Sequence, residues 1–349
     1  MSVRVRFAPS PTGSLHLGNA LTAVANRRYA DAHGGVVVLR VDDTDPARNV
    51  EGGEDAILAD LAWLGVGFDE GPVRQSERGD VYAEAVQRAV GAGMAERDDD
   101  GSVRLGRDGT TLLRSDRTAT YQLATVVDDL DLAITHVIRG SDHRPNLPVQ
   151  QAIARALGGE LPEVIHHGLV LGPDGKKLSK RHGHSSIAEL REEGFPAASV
   201  RAYLDELDLP EHDVHLDLAR LRRLAVDAIA AMPDEELAAA ADAPLEVVPA
   251  LRGARSLVEA REYARLVLAP ARVVRHADAR PTLVRFVELR RAAPEQLSVE
   301  EGKAIIRELK AVGGDLRSLR LALTGAERGP ELAAVLAALS RDEALRRAT

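Results

Sequence analysis

Before residue 42 the chain runs strand, stiff turn, helix, strand, and that order leaves few folds open. Val3-Arg4-Val5-Arg6-Phe7 alternates as a strand does, and Ala8-Pro9-Ser10-Pro11-Thr12-Gly13 is a loop stiffened by two prolines. From Leu15 to Ala32 the spacing is helical, with Leu17, Leu21, Val24 and Ala25 on one stripe. Gly34-Gly35 stops the helix, and Val36-Val37-Val38-Leu39-Arg40-Val41 is a buried-strand run. A strand, helix and strand in succession predict a right-handed parallel unit. Ligands then bind at the carboxyl ends of the strands.

The α/β character continues to about residue 185. The spacing predicts helices over 54–64 and 147–157, and strands over 135–139 and 164–171. Residues 98–118 are polar and weakly patterned, as in an inserted hairpin or loop, and apolar patterning resumes over 120–127. Beyond residue 185 the pattern turns to helices at 199–207, 216–232, 233–241, 257–268, 298–312 and 331–345. The expected fold is α/β: a Rossmann-like parallel sheet with a short inserted subdomain, followed by an all-α C-terminal region.

The chain has no cysteine, which removes disulfides, a thiolate nucleophile and a zinc ribbon, so no zinc is expected. No run of apolar residues approaches the roughly 20 needed to cross a bilayer, and the first residues enter a strand with no signal-peptide core. A cytoplasmic protein with no membrane partner is expected. Charge is uneven: residues 1–250 hold 26 Lys and Arg against 41 Asp and Glu, whereas residues 251–349 hold 19 against 13. A basic end on an acidic chain fits a polyanionic partner, although a set of solvated arginine-rich helices would look the same.

Two segments carry chemistry. In Pro9-Ser10-Pro11-Thr12-Gly13-Ser14-Leu15-His16-Leu17-Gly18-Asn19 a tight crossing leads straight into a helix, whose free N–H groups make an anion site. Gly18 leaves room for a nucleotide against that helix, and His16 can donate to a phosphate oxygen. In Gly175-Lys176-Lys177-Leu178-Ser179-Lys180-Arg181-His182-Gly183, four cations in six positions surround a serine. Such a loop suits a triphosphate and its leaving pyrophosphate. Taken singly, the first could be capping and packing and the second a solvated basic loop. The paired histidines His166-His167 and His182 with His184 lack a spaced carboxylate, so no metal site is expected from them.

Together the two segments resemble the HIGH and KMSKS signatures of class I aminoacyl-tRNA synthetases, in their glutamyl-tRNA synthetase form. Leu39-Arg40-Val41-Asp42-Asp43-Thr44-Asp45-Pro46, Tyr121-Gln122-Leu123-Ala124-Thr125-Val126-Val127-Asp128-Asp129 and His136-Val137-Ile138-Arg139-Gly140-Ser141-Asp142-His143 are similar to the same family, in the family's order. The likeness covers residues 3–183 well. It returns at 319–325 and 339–345, which look like the end of that family's anticodon-binding region.

The resemblance implies an enzyme, a glutamate–tRNA ligase of protein biosynthesis. Such an enzyme activates L-glutamate with ATP and Mg²⁺ to an acyl-adenylate and passes the acyl group to tRNA. It implies His16, Lys177 and Lys180 as catalytic residues. The ATP site implied is Thr12, His16, Gly18, Asn19, Leu169, Val170, Lys177, Leu178, Ser179 and Lys180. The glutamate site implied is Arg6, Ala8, Ser10, Asp42, Tyr121, Thr125, Arg139, Asp142 and His143. Glutamate carries two carboxylates and one ammonium. Arg6 and Arg139 therefore match the carboxylates, in an order left open, and Asp42 the ammonium.

By the same resemblance residues 1–75 and 119–185 form the catalytic domain, and 76–118 a shortened acceptor-end insertion. Residues 186–255 form a stem-contact-like helical domain, and 256–349 a reduced anticodon-binding-like domain; a monomer is expected. Three departures stand out. Asn19 replaces the motif's second histidine, Asp42 is one methylene shorter than the usual bacterial glutamate, and Thr125 replaces an asparagine. The short insertion leaves alternatives for the acceptor. One is a queuosine-modified tRNA, as in the related glutamyl-queuosine tRNA synthetases, and another is a small molecule or carrier. A non-catalytic tRNA-binding relative is a further reading, which the intact His16 and Lys177-Leu178-Ser179-Lys180 oppose.

Overall fold

The computed structural model describes residues 2–106, 109–178, 186–270 and 280–349. The chain forms two compact units, Met1–Leu190 with Arg201–Asp217, and Arg191–Val200 with Leu218–Thr349.

The first unit is built on parallel strands. β1 (Arg4–Phe7) pairs with β2 (Val36–Val41), and β2 with β3 (Glu70–Arg74). β7 (His136–Gly140) pairs in parallel with β8 (Glu163–His167). The Thr135 N–H donates to the Arg4 carbonyl at 2.9 Å, which lays β7 along β1 and gives the order β3-β2-β1-β7-β8. From β1 one connection runs outward through α1 (Leu17–Ala32) to β2, and the other half of the sheet runs the opposite way. The carboxyl ends of β1 and β7 thus flank a topological switch point, where such sheets open a crevice.

β3 is not expected from its residues, because Glu70-Gly71-Pro72 reads as a turn. At the sheet edge proline costs little. Gly71 at φ +100° lies so close to the Leu39 carbonyl that a Cβ would fall 2.3 Å from the oxygen. Only glycine lets the strand lie there.

α2 (Gly53–Trp63) precedes β3, and α3 (Gly79–Gly91) opens the inserted segment. Where a hairpin or loop is expected, three short antiparallel strands follow: β4 (Ala95–Arg97), β5 (Val103–Leu105) and β6 (Thr111–Leu113). They pack with α3, α4 (Tyr121–Asp131) and α5 (Leu147–Ala156) around Tyr82, Val86, Leu112, Leu123 and Ile153. The run 164–171 is two strands, not one. The chain breaks at Gly168, whose N–H donates to the Pro210 carbonyl. It resumes as β9 (Val170–Leu171) beside β10 (Val214–His215).

Helices α6 (Ile187–Glu192) and α7 (Ala197–Leu207) carry the chain between the units. Among the described residues the second unit is helical, from α8 (Leu218–Ala231) through α9 (Asp234–Ala240), α10 (Val248–Leu251) and α11 (Leu257–Leu268). It continues with α12 (Arg280–Ala292), α13 (Val299–Ala311), α14 (Leu316–Thr324), α15 (Leu332–Ala338) and α16 (Arg341–Ala348). One apolar core around Leu237, Leu251, Phe286, Leu309, Leu323 and Leu336 holds it together. The expected helix over 331–345 is two, because Ser340 caps a new one by accepting from the Glu343 N–H. Among the described residues no helix is long and apolar enough to cross a membrane.

Candidate active site

A cavity of about 400 Å³ opens at the switch point, within the first unit. It brings together Arg6, Ala8, Ser10, Thr12, His16, Gly18, Asn19, Asp42, Tyr121, Arg139, Asp142, His143, Leu169, Val170 and Lys177 from segments spread over the expected site. Leu178 is buried beside it and lines a neighbouring recess with Thr12, His16 and Asn19. Thr125 does not line the cavity; it is buried on α4 with its hydroxyl unpartnered. Ser179 and Lys180 lie outside the described residues.

One side of the cavity is the start of α1. Asp60 on α2 holds the loop ahead of it, accepting from Ser14 Oγ at 2.6 Å and from the Leu15 N–H at 2.8 Å. His16 is the N-cap, and its Nδ1 accepts from the Asn19 N–H at 3.2 Å. Burial, then the nearby Lys177 charge, push the His16 pKa down to about 4. At neutral pH the ring is therefore uncharged, and with Nδ1 accepting, its proton sits on Nε2 as a donor. A Cβ at Gly18 would come within 3.2 Å of the His16 ring and push it by a few tenths of an ångström, so glycine lets the ring keep its place.

Lys177 reaches the cavity by a short hairpin. The Gly172 N–H donates to the Lys176 carbonyl, and the Leu178 N–H to the Val170 carbonyl, which folds the segment back along β9. The Lys177 ammonium pairs with Asp142 at 2.5 Å. Burial opposes ionisation of Asp142, but Lys177 outweighs it and leaves that carboxyl below its usual range.

The opposite side is a lattice of buried charge. Arg40, fully buried, donates to both oxygens of Asp42, at 2.6 and 3.1 Å, and to Asp129 at 2.9 Å. Arg6 donates to the same Asp129 oxygen at 3.1 Å. Asp128, next on α4, accepts from Gln75, Arg78 and Tyr82. Burial works against the Arg40 charge, yet Asp42, Asp129 and Asp128 hold its proton more tightly than usual. For Asp42, burial holds the carboxyl above its usual range, and Arg40 pulls it back only in part.

Arg139 differs. It is 95% buried on β7, but its Nε donates only to His166 Nε2, at 3.3 Å, and its Nη2 has no partner. Among the described residues no carboxylate is paired with it. Burial, then Arg6, lower its pKa, and burial with Arg139 lowers that of His166 to about 4, so His166 is a neutral acceptor. A buried guanidinium left unsatisfied is costly, and a carboxylate brought by a ligand would satisfy it.

The family model described as tRNA synthetases class I (E and Q), catalytic domain, matches residues 2–108 and 100–215. The chain is 36% identical to glutamate–tRNA ligase 1 of Rubrobacter xylanophilus, covering 99% of this chain and 97% of that one. The chain belongs to the class I glutamyl and glutaminyl tRNA synthetases.

Glutamate–tRNA ligase 1 of Gluconacetobacter diazotrophicus is 33% identical over 99% of both chains. A glutamate tRNA ligase from Elizabethkingia meningosepticum, solved in complex with its amino acid, shares the fold with a TM-score of 0.77 at 21% identity. That match covers 100% of this chain and 98% of the other. The Rubrobacter alignment runs over 422 positions against the 349 residues here, so this chain bridges gaps along its length. Membership makes the chain an ATP-using aminoacyl-tRNA ligase.

The sequence reading gives no site role to Arg40, Asp128 or Asp129, which appear there only inside longer segments, and it weighs His166 only as a metal ligand. An arginine inside an otherwise apolar strand run was the available signal, since a buried arginine must find carboxylates. The adjacent aspartates were the matching signal on α4.

Proposed function

We propose that this chain is a glutamate–tRNA ligase, and that the cavity holds L-glutamate between Arg6, Asp42 and Arg139 with ATP against the start of α1. The observation that carries the reading is the charge inventory of the cavity. Arg139 offers a guanidinium without a carboxylate, Arg6 a second guanidinium held through Nε by Asp129, and Asp42 a carboxyl group fixed by Arg40. That set complements two carboxylates and one ammonium. Tyr121, Ala8 and Ser10 line the same space, with His143 near Tyr121.

In the first step an oxygen of the substrate's α-carboxylate attacks the α-phosphorus of ATP, forming the mixed anhydride and breaking the bond to pyrophosphate. No protein nucleophile is required. The Lys177 ammonium balances charge on the phosphates, and neutral His16 donates through Nε2, while Thr12, Asn19 and Gly18 shape the nucleotide's bed. Ser179 and Lys180 are assigned to the same clamp on the resemblance of their motif. Mg²⁺ enters with the nucleotide, held chiefly by its phosphates. In the second step a hydroxyl of the terminal ribose of tRNA attacks the acyl carbon and AMP leaves.

We assign residues 76–118 to the tRNA acceptor end, 186–255 to stem contacts and 256–349 to a reduced anticodon-side surface. We take the protein to be a cytoplasmic monomer. ATP–pyrophosphate exchange with glutamate, glutamine and aspartate, with and without total tRNA, tests the reading. Glutamate-dependent exchange that needs tRNA supports it. Exchange without tRNA points to a queuosine-type or small-molecule acceptor. Absence of exchange with every amino acid overturns an activating enzyme altogether.

A further inference from the structure

Three side chains assigned to the amino acid by family likeness project from separate elements: Arg6 from β1, Asp42 from the end of β2 and Arg139 from β7. Two of the three are tied to one residue that does not line the cavity. Arg40 grips both oxygens of Asp42, and its remaining nitrogen Nη1 binds the Asp129 oxygen that also receives Arg6.

We propose that Arg40 is a positioning residue for amino-acid recognition, setting the Asp42 carboxylate directly and the Arg6 guanidinium through Asp129. This inference rests on the reading of Asp42 and Arg6 as the ammonium and carboxylate receptors.

The geometry explains what a short aspartate does here. Asp42 directly follows β2, two positions past Arg40, and the Arg40 fork reaches both of its oxygens. A single methylene leaves the carboxylate little reach, and the arginine fork fixes both oxygens from behind. Each oxygen keeps a lone pair for a ligand N–H, so an ammonium entering from the cavity meets an anion that need not reorganise. Lysine cannot reproduce this, because a point donor cannot hold both oxygens of Asp42 and also reach Asp129.

The arrangement also separates Arg40 from its outer neighbours. Arg78 contributes to the same buried network, but through Asp128 and Asp131, and touches neither Asp42 nor Arg6. A role in bulk stability alone would be shared by Arg78 and Arg40. A positioning role would belong to Arg40.

The experiment is steady-state ATP–pyrophosphate exchange on the full chain with saturating tRNA, giving KM for glutamate, KM for ATP and kcat. Arg40→Lys is expected to raise KM for glutamate by about tenfold or more while KM for ATP stays within about twofold. Arg78→Lys is expected to leave both near wild type. The effects of Arg40→Lys and Asp42→Asn on KM for glutamate should be less than additive when combined, since both act on one contact.

If Arg40→Lys shifts both KM values alike, leaves glutamate KM unchanged, or adds fully to Asp42→Asn, the proposal is wrong. Should Arg40→Lys fail to fold, Asp129→Asn asks the same question from the far side of the fork. It should raise glutamate KM selectively, and an unselective change again overturns the idea. The underlying reading fails separately, by wild type showing no exchange with glutamate or by Asp42→Asn behaving as wild type.

Discussion

The two sides of the cavity handle charge in opposite ways. On the side proposed for the amino acid Arg6 and Arg40 are buried against Asp42, Asp128 and Asp129, and every one of those carboxylates accepts more than one hydrogen bond or serves more than one arginine. On the side proposed for the nucleotide lie the start of α1, a neutral histidine and a half-exposed Lys177–Asp142 pair. A small amino acid must be told from others of nearly its own size, which calls for fixed charges in a dry pocket. A nucleotide is held by many phosphate contacts and tolerates an adjustable clamp. Arg139 sits at the boundary, as buried as the lattice but without its partners.

The sharpest break in this contrast is between Arg40 and Arg139, two buried arginines of opposite standing. Arg40→Met would remove the arginine that holds Asp42 in the interior and leave Asp129 with Arg6 alone, and removing one partner of a buried pair costs about 3–5 kcal/mol. Arg139→Met should cost little stability or add some, since it removes a buried guanidinium with no carboxylate and a single long hydrogen bond to His166. Function reverses the order of cause: Arg139→Met should lose glutamate-dependent exchange by about a thousandfold while the fold is untouched. Urea denaturation of both variants, followed by the fluorescence of the one tryptophan, Trp63 in the first unit, decides it. Equal destabilisation by the two would remove the distinction.

A smaller effect is expected on the nucleotide side. Lys177→Ala should lower kcat for exchange by about 10²-fold, the scale for losing one charged contact to a developing anion. Its ion pair with Asp142 is partly exposed, so stability should change by less than about 1 kcal/mol. A loss of stability comparable to that of Arg40→Met would place Lys177 with the buried lattice instead.

These contrasts show where sequence reasoning reached and where it stopped. The strand–helix–strand opening was legible because it is contiguous and rests on local rules: alternation, prolines, a helix start. Arg6, Asp42 and Arg139 were legible only through likeness to a family, because nothing local says that three strand residues face one cavity. Arg40 stayed hidden for the same reason. Its partners lie two, 88 and 89 positions away, and only the fold brings the Asp128-Asp129 end of α4 within reach of the Arg40 side chain. β3 was lost because glycine and proline at a sheet edge carry the same local signal as a turn. The break at Gly168 was lost because the Pro210 carbonyl that receives its N–H lies more than forty residues on.

The subtlest test concerns His16, where capping and chemistry use the two nitrogens of one ring. Its folded pKa of about 4 lies below the ordinary value of 6.5, so between those limits the unfolded chain binds a proton that the folded one does not. The stability this contributes is complete above pH 6.5 and is lost as pH falls toward 4. The expected slope is about 1.4 kcal/mol per pH unit for one such proton. His166, also depressed to about 4, adds a second contribution of the same sign. His16→Asn keeps an acceptor for the Asn19 N–H, since asparagine caps helices well, but removes the titrating ring. The variant's stability should therefore fall less steeply than wild type between pH 6.5 and 4.5, with the difference close to one proton. Its exchange activity should fall at every pH, because no donor replaces Nε2. Parallel stability curves for the two proteins would mean that the ring is not held neutral by its burial, and that the nucleotide side is wetter than its geometry implies.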